Sequence, residues 1–565
     1  MKSSVSRSES RRLTSNDCRR ASRTASSSRG SGRSMHYSVR DLPCDSQAAS
    51  DRSSGPDGRQ TGEGDDTMKL RVSAFLVLLA GALAGVSGSA APMVAGSPAT
   101  ARVPGQPQRP NFIIVFADDQ GYGDLGVFGA TDFETPRIDR MAGEGMRFTS
   151  FYAQVLCGPS RTALLTGSYP IRVGEYGNEK RSFPYVHERE ILLPSVLQAA
   201  GYATGMVGKV DITQRRRGWR PELSPVRRGF DEWFGVVGAN DSGEVHWVHR
   251  NEERIEESAG LDDLTRRYTD EALSFIRRHA DRPFFLYVAH TMPHVVLGAG
   301  ERFRGGSARG LYGDVIEELD ASTGEILDLL RELEIDHNTI VVYTSDNGPW
   351  SNHSLPRYTA AITEHSGSSG PLRGAKGTTW EGGIRVPTVM WGPGHVPAGT
   401  ETDAIATNMD LLPTFIALAG ADLPADRLID GRDISALMRG EPGAVSPHEA
   451  FYYYRETRLD AVRSGPWKLV FPRPGRDESE WLLSRGGAFR GELLEPVAEL
   501  ALYNLETDIG EQVDVAARHP EVVERLSALA DEARAELGDY DRIGSGVRFF
   551  EDGPRWPRRA AWHGR

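Results

Sequence analysis

Three uninterrupted apolar runs stand at wide intervals along the chain: Asn111 to Ala117 (NFIIVFA), Pro283 to His290 (PFFLYVAH) and Thr339 to Thr344 (TIVVYT). A strand with one wetted face alternates apolar and polar residues. A run that is apolar throughout fits a strand covered on both faces, as in a parallel or mixed α/β sheet. Helical spacing appears between the runs. Leu193 to Ala200 begins beside Pro194 and stops at Gly201, and Tyr312 to Leu330 carries apolar residues on one stripe, which predicts a surface helix whose acids form a solvated face. The texture changes after residue 445. Phe451 to Tyr454, Ala461 to Arg463, Trp467 to Phe471 and Leu502 to Leu505 read as short antiparallel strands, and a helix follows from Pro520 to Ala535. The expected fold is α/β: a large mixed, mostly parallel sheet flanked by helices over residues 111–445, then a smaller α+β domain with an antiparallel sheet over 446–545.

Composition changes this picture mainly at the ends. Residues 1–67 are dominated by Ser, Arg, Gly and Asp and cannot bury enough apolar surface to offset the entropy of ordering; they read as a disordered or untranslated leader. Met68-Lys69-Leu70-Arg71, the apolar stretch Ala74 to Val86 and Ser87-Gly88-Ser89-Ala90-Ala91 have the three parts of a signal peptide, 68–91. The stretch is too short to span a bilayer, which takes roughly 20 apolar residues, so export to the periplasm or medium without a stable membrane anchor is expected. A polar linker, 92–110, leads into the first strand, and the tail, 546–565, is basic and aromatic. The 565 residues carry a net charge of -12, and the leader is itself positive, so the remainder is more acidic still, which argues against a nucleic-acid partner. Of three cysteines, Cys18 and Cys44 lie in the leader. An exported body with one thiol, Cys157, marks that residue as chemical rather than structural.

Cys157 opens Cys-Gly-Pro-Ser-Arg-Thr-Ala-Leu-Leu-Thr-Gly, where Pro159 suits a first helical turn and Gly167 a stop. A helix N-terminus attracts an oxyanion or stabilises a thiolate; a small buried packing residue is the other reading. Two of the apolar runs end in acids, Asp118-Asp119 and Ser345-Asp346-Asn347-Gly348. In an open α/β sheet ligands sit at the carboxyl ends of strands, and Asp-Asp with Asp-Asn makes an oxygen set for Ca²⁺ or Mg²⁺, poorly suited to zinc. Solvated turns are the alternative for such acids. His246 and His249, three apart without nearby cysteines, read as cleft or surface residues rather than ligands.

Cys157 to Gly167, the block Asn111-x-x-x-x-x-Ala117-Asp118-Asp119-x-Gly121, Ser345-Asp346-Asn347-Gly348 and Gly208-Lys209 resemble the signatures of the type I sulfatases, in that family's order from Asn111 to Leu537. The resemblance implies an alkaline phosphatase-like fold and hydrolysis of sulfate monoesters of a sulfated small molecule or glycan. It implies that a formylglycine-generating maturation enzyme converts Cys157 to Cα-formylglycine, whose hydrate presents two geminal hydroxyls. It assigns Ca²⁺, ahead of Mg²⁺, to Asp118, Asp119, Asp346 and Asn347 together with the modified Cys157 itself, sulfate contacts to Arg161, Lys209 and Lys376, a proton for the departing alcohol to His294 or Lys376, and a candidate base role to Asp346. One departure stands out. Where the family has Gly-Lys-Trp-His, this chain has Gly208-Lys209-Val210-Asp211. Asp211 is the missing histidine's substitute as base, or turns away while His187 or His246 substitutes, or marks altered chemistry. A phosphonate or phosphate ester hydrolase of the same superfamily, or a catalytically silent carbohydrate-binding relative, are the alternatives.

Overall fold

The computed structural model describes residues 109–173, 186–212, 223–238, 240, 245–350, 366–473 and 496–550. The leader, the signal peptide, most of the linker and residues 551–565 of the tail lie outside them.

Ten strands form one mixed sheet. In chain order they are β1 (Asn111–Ala117), β2 (Met146–Phe148), β3 (Ala203–Lys209), β4 (Glu232–Val236), β5 (Val245–Arg250), β6 (Glu253–Ala259), β7 (Phe284–Ala289), β8 (Thr339–Ser345), β9 (Thr388–Trp391) and β10 (Thr400–Thr402). Their spatial order is β10-β2-β9-β8-β1-β7-β3-β4-β5-β6. The five middle strands, β8 to β4, run parallel, and β9 and β5 border them antiparallel. All three apolar runs are middle strands, and every residue of β1, β7 and β8 is buried. Ile113 and Val115 pack on one face, Phe112, Ile114 and Phe116 on the other. That two-sided burial is why these strands do not alternate.

One face is covered by α1 (Pro136–Gly143), α4 (Leu264–His279) and α5 (Leu311–Glu332), the other by α2 (Cys157–Thr166), α3 (Leu193–Ala199) and α6 (Leu411–Leu418). The acids of α5 correct the expectation of a solvated face. Asp314, Glu318 and Asp320 are buried, and each accepts backbone N–H groups: Asp314 from Gly305 and Ser307, Glu318 from Gly300, Asp320 from Arg137 and Ile138. Asp314 and Glu318 tie loops to α5, and Asp320 ties it to the first turn of α1. His249 is also a correction, since it is buried edge-on against Trp233 rather than placed on a surface or cleft.

After residue 445 come β11 (Phe451–Arg455), β12 (Arg458–Ser464), β13 (Trp467–Val470) and β14 (Ala501–Asn504), an antiparallel sheet in that order, with α7 (Pro520–Glu536) packed across it. The apolar cluster beneath α7 also contains Tyr152, Ala163 of α2, Trp380 and Met409, so this lobe shares a core with α2 and its neighbouring segments in the first lobe. Residues 544–550 then return to the first lobe. Arg548 pairs with Glu190 at 2.9 Å and donates to Leu428 O, and Phe550 stacks on His187.

Candidate active site

The carboxyl ends of the parallel strands converge on Cys157. Asp118 and Asp119 follow β1, Asp346 and Asn347 follow β8, Lys209 ends β3, and His294 lies beyond β7. Asp119 has φ 69, a left-handed turn that breaks the strand so that both acids face inward. Its N–H donates to Asp346 Oδ1 at 3.0 Å, which stitches the two acidic strand ends together. Oxygen or sulfur atoms of Asp118, Asp119, Cys157 and Asp346 all lie within 4.8 Å of one another. Thus the two acidic tips form one site, and the reading as separate solvated turns is excluded: all four residues are buried.

Cations enclose the acids. Lys209 Nζ donates to Asp118 Oδ2 at 2.6 Å, and Arg161 donates to Asp346 Oδ2 at 2.8 Å with Asp118 Oδ2 3.7 Å away. Lys376 Nζ donates to Asp119 Oδ1 at 2.5 Å and Oδ2 at 2.7 Å, and reaches Cys157 Sγ at 3.3 Å. His294 Nε2 stands 3.7 Å from Asp119 Oδ2 while its Nδ1 meets the Val295 carbonyl. All five residues expected from the sequence to do chemistry, Cys157, Arg161, Lys209, His294 and Lys376, therefore share one cluster with the expected ligand set.

Burial alone would raise the Asp118 carboxyl, but Lys209, His294, Arg161 and Lys376 together outweigh it and hold the group well below the usual carboxylate range. Burial and then the charge of Asp118 push Asp346 up, against Arg161. Two acids so close, with opposite tendencies, are the arrangement that an added dication relieves. The donor set agrees: Asp118 Oδ1 and Asn347 Oδ1 are buried oxygens without a hydrogen-bond partner. Unpartnered buried acceptors are costly, and a hard cation satisfies them.

The Cys157 thiol corrects one expectation. It opens α2 as foreseen, with Gly167 left-handed at the other end, yet burial, then Asp118 and Asp346, push the thiol well up against Lys209 and Lys376. Burial first, and these acids second, disfavour the thiolate that a helix N-terminus would favour. Asp211 does not turn away. It is buried with φ 45, and its Oδ2 lies 3.4 Å from Lys209 Nζ. His187 sits instead under Phe550, and the His246 side chain is outside the described residues.

Sequence reasoning missed Trp350, whose ring lies 6.4 Å from that of His294 and 5.9 Å from Lys376 Nζ. It also missed Tyr287, whose hydroxyl lies 3.5 Å from Arg161. A tryptophan just after Asp346-Asn347-Gly348 was the available signal for the first; the second is hidden in an apolar strand.

Residues 110–421 match the family described as sulfatase, and residues 446–549 match the C-terminal region of aryl-sulfatase. The chain belongs to the sulfatase family. It is 41% identical over 397 residues to N-acetylgalactosamine-6-sulfatase of Sus scrofa, covering 65% of this chain and 73% of that protein. It is 35% identical over 461 residues to arylsulfatase A of Homo sapiens, covering 74% and 87%. Among solved structures, the PsFucS1 sulfatase from Pseudoalteromonas sp. superposes with TM-score 0.64 at 25% identity over 76% of this chain and 90% of that one. This sulfatase has the alkaline phosphatase-like fold of such neighbours and is a sulfuric ester hydrolase. Among its described residues no helix is long and apolar enough to cross a membrane.

Proposed function

We propose that this sulfatase hydrolyses the sulfate monoester of a sugar, using Cα-formylglycine formed from Cys157 and a Ca²⁺ ion held by Asp118, Asp119, Asp346 and Asn347. The observation that carries the reading is the buried oxygen cluster with two unpartnered acceptors beside the only cysteine outside the leader. When present, the ion supplies a Lewis acid and the hydrated aldehyde an oxygen nucleophile. The chain's own residues do the rest. Arg161 and Lys209 place fixed positive charge where sulfate oxygens gather charge, which is commonly the largest catalytic term. Lys376 and His294, which approach Asp119 while Lys209 pairs with Asp118, are placed to hand a proton to the departing alcohol. Asp346 is the candidate proton acceptor for the nucleophile, and Asp211 a second carboxylate that keeps the Lys209 ammonium charged.

The sugar substrate rests on the named relatives, N-acetylgalactosamine-6-sulfatase above all. Mass analysis of the peptide spanning Cys157, from protein made beside a maturation enzyme, is expected to show a loss of about 18 Da, the thiol replaced by an aldehyde. Release of sulfate from N-acetylgalactosamine 6-sulfate and from 4-nitrophenyl sulfate then ranks glycan against aryl ester. An unmodified thiol in a fully active protein would sink the proposal. Export through the segment 68–91 belongs to the same reading; the N-terminus of the secreted protein, expected near Ala90 or Ala91, tests it.

A further inference from the structure

Lys376 lies in a segment that does not stiffen itself. Residues 373–380 form no helix or strand, and Gly374 and Gly377 flank the lysine with φ +81 and +84. One side of the segment hangs on the first lobe, through Lys376 N–H to Pro349 O at 3.0 Å and Gly377 N–H to Val155 O at 2.8 Å. The other side hangs on the C-terminal lobe. Lys468, on β13, donates to Thr379 O at 2.9 Å and to Glu381 Oε1 at 3.0 Å. Glu511, beyond β14, accepts the Glu381 N–H at 2.8 Å on Oε2, and its carbonyl accepts Arg373 Nη1 at 3.0 Å. Lys468 and Glu511 are themselves ion-paired at 2.7 Å, and both are fully buried. Glu511 is moreover a non-glycine residue at φ 52, a backbone state that persists only where its surroundings hold it. Three points flanking Lys376 are thus gripped from a different lobe.

We infer that Lys468 and Glu511 are positioning residues for Lys376: the antiparallel sheet sets the reach of the active-site ammonium to Asp119 and residue 157. The inference rests on the reading of Lys376 given under Proposed function. Its physical content is geometric. The Lys376 contacts at 2.5 and 2.7 Å do not survive a 1 Å shift of the segment, and misplacement on that scale costs on the order of 100-fold in rate.

The test is a cycle on 4-nitrophenyl sulfate with matured protein. Lys468→Met together with Glu511→Gln removes one charge of each sign, so no bare charge is left buried by the exchange. In the natural background kcat is expected to fall roughly 10- to 100-fold with KM changed less than about 3-fold. In a Lys376→Ala background the same pair is expected to cost less than about 2-fold, because the group it positions is gone. Equal losses in both backgrounds, or no loss in the first, overturn the inference. Should the pair not fold, Glu511→Gln alone, which keeps an acceptor for the Glu381 N–H, is carried through the same cycle with the same two outcomes. Full activity of Lys376→Ala by itself would refute the assignment of Lys376 instead.

Discussion

Two buried clusters of charge face each other across the segment 373–381, one around Cys157 and one around Glu381, and they are made of similar side chains. Around Glu381, every carboxylate oxygen has a donor or cation. Lys468 and Tyr453 reach Oε1, Tyr152 and Arg385 reach Oε2, and Glu511 is held by Lys468 and the Glu381 N–H. The Glu381 carboxyl is held far below its ordinary range, since Lys468, Arg385 and Arg463 outweigh its burial. Around Cys157, Asp118, Asp119, Asp211 and Asp346 meet Arg161, Lys209 and Lys376, and two oxygens keep no partner. The first cluster is closed and serves architecture. The second is short of positive charge, and chemistry enters there.

The largest way to break the contrast is Cys157→Ala. Activity is expected to fall on the order of 10⁴-fold or more while circular dichroism and melting stay near those of the parent. Retained turnover would make the Cys157 cluster another structural one. Next, dialysis against a calcium chelator should lower activity roughly 10³-fold and lower the melting midpoint, with Ca²⁺ but not Zn²⁺ restoring both. A midpoint indifferent to chelator and calcium would remove the distinction between the clusters. On the closed side, Glu381→Ala takes from Lys468 one of its two carboxylates and from Arg385 and Arg463 the one they share, and should cost about 3–5 kcal/mol in urea unfolding, with calcium giving no relief. A cost under about 1 kcal/mol would show that this cluster is not closed in the sense meant.

The smallest effect comes from a third group of acids, bonded mainly to backbone. Burial pushes Asp124, Glu318 and Asp320 up to about 7 against the N–H groups they accept. The folded state then binds more protons than the unfolded one. The stability these acids contribute is full below their ordinary range, near pH 4, and is lost as pH rises through about 7. Glu318→Gln with Asp320→Asn should flatten that decline in unfolding free energy measured from about pH 5 to 8; an unchanged slope counts against it.

The sheet was legible because two-sided burial leaves an unmistakable trace: three runs without apolar–polar alternation became three adjacent strands, two of them ending in acids at the same edge. The site was legible for the same reason, since strand ends are where the topology gathers groups from afar. What stayed hidden was whatever depends on packing between distant segments. The α5 acids have the spacing of a wet face, and nothing local says that the start of α1 at residue 137 and loops at residues 300 and 305 will cover them. The thiol of Cys157 is pushed up by burial and then by Asp118 and Asp346, 39 and 189 residues away, while its own neighbours suggest the opposite. Glu381 sits in Trp-Glu-Gly-Gly, a stretch that reads as a turn. Its anchoring to Lys468 and Glu511 exists only once two lobes have met.

The strand order has a cost during synthesis. β1 emerges first, but its two neighbours are β7 and β8, whose register pairs Phe112 with Phe285 and with Ile340. While the ribosome makes the intervening chain, the greasiest ribbon of the protein has both edges bare, a hazard for sticking to other nascent chains. A chaperone that holds this segment until β7 arrives would be expected to govern yield more than any change at the active site.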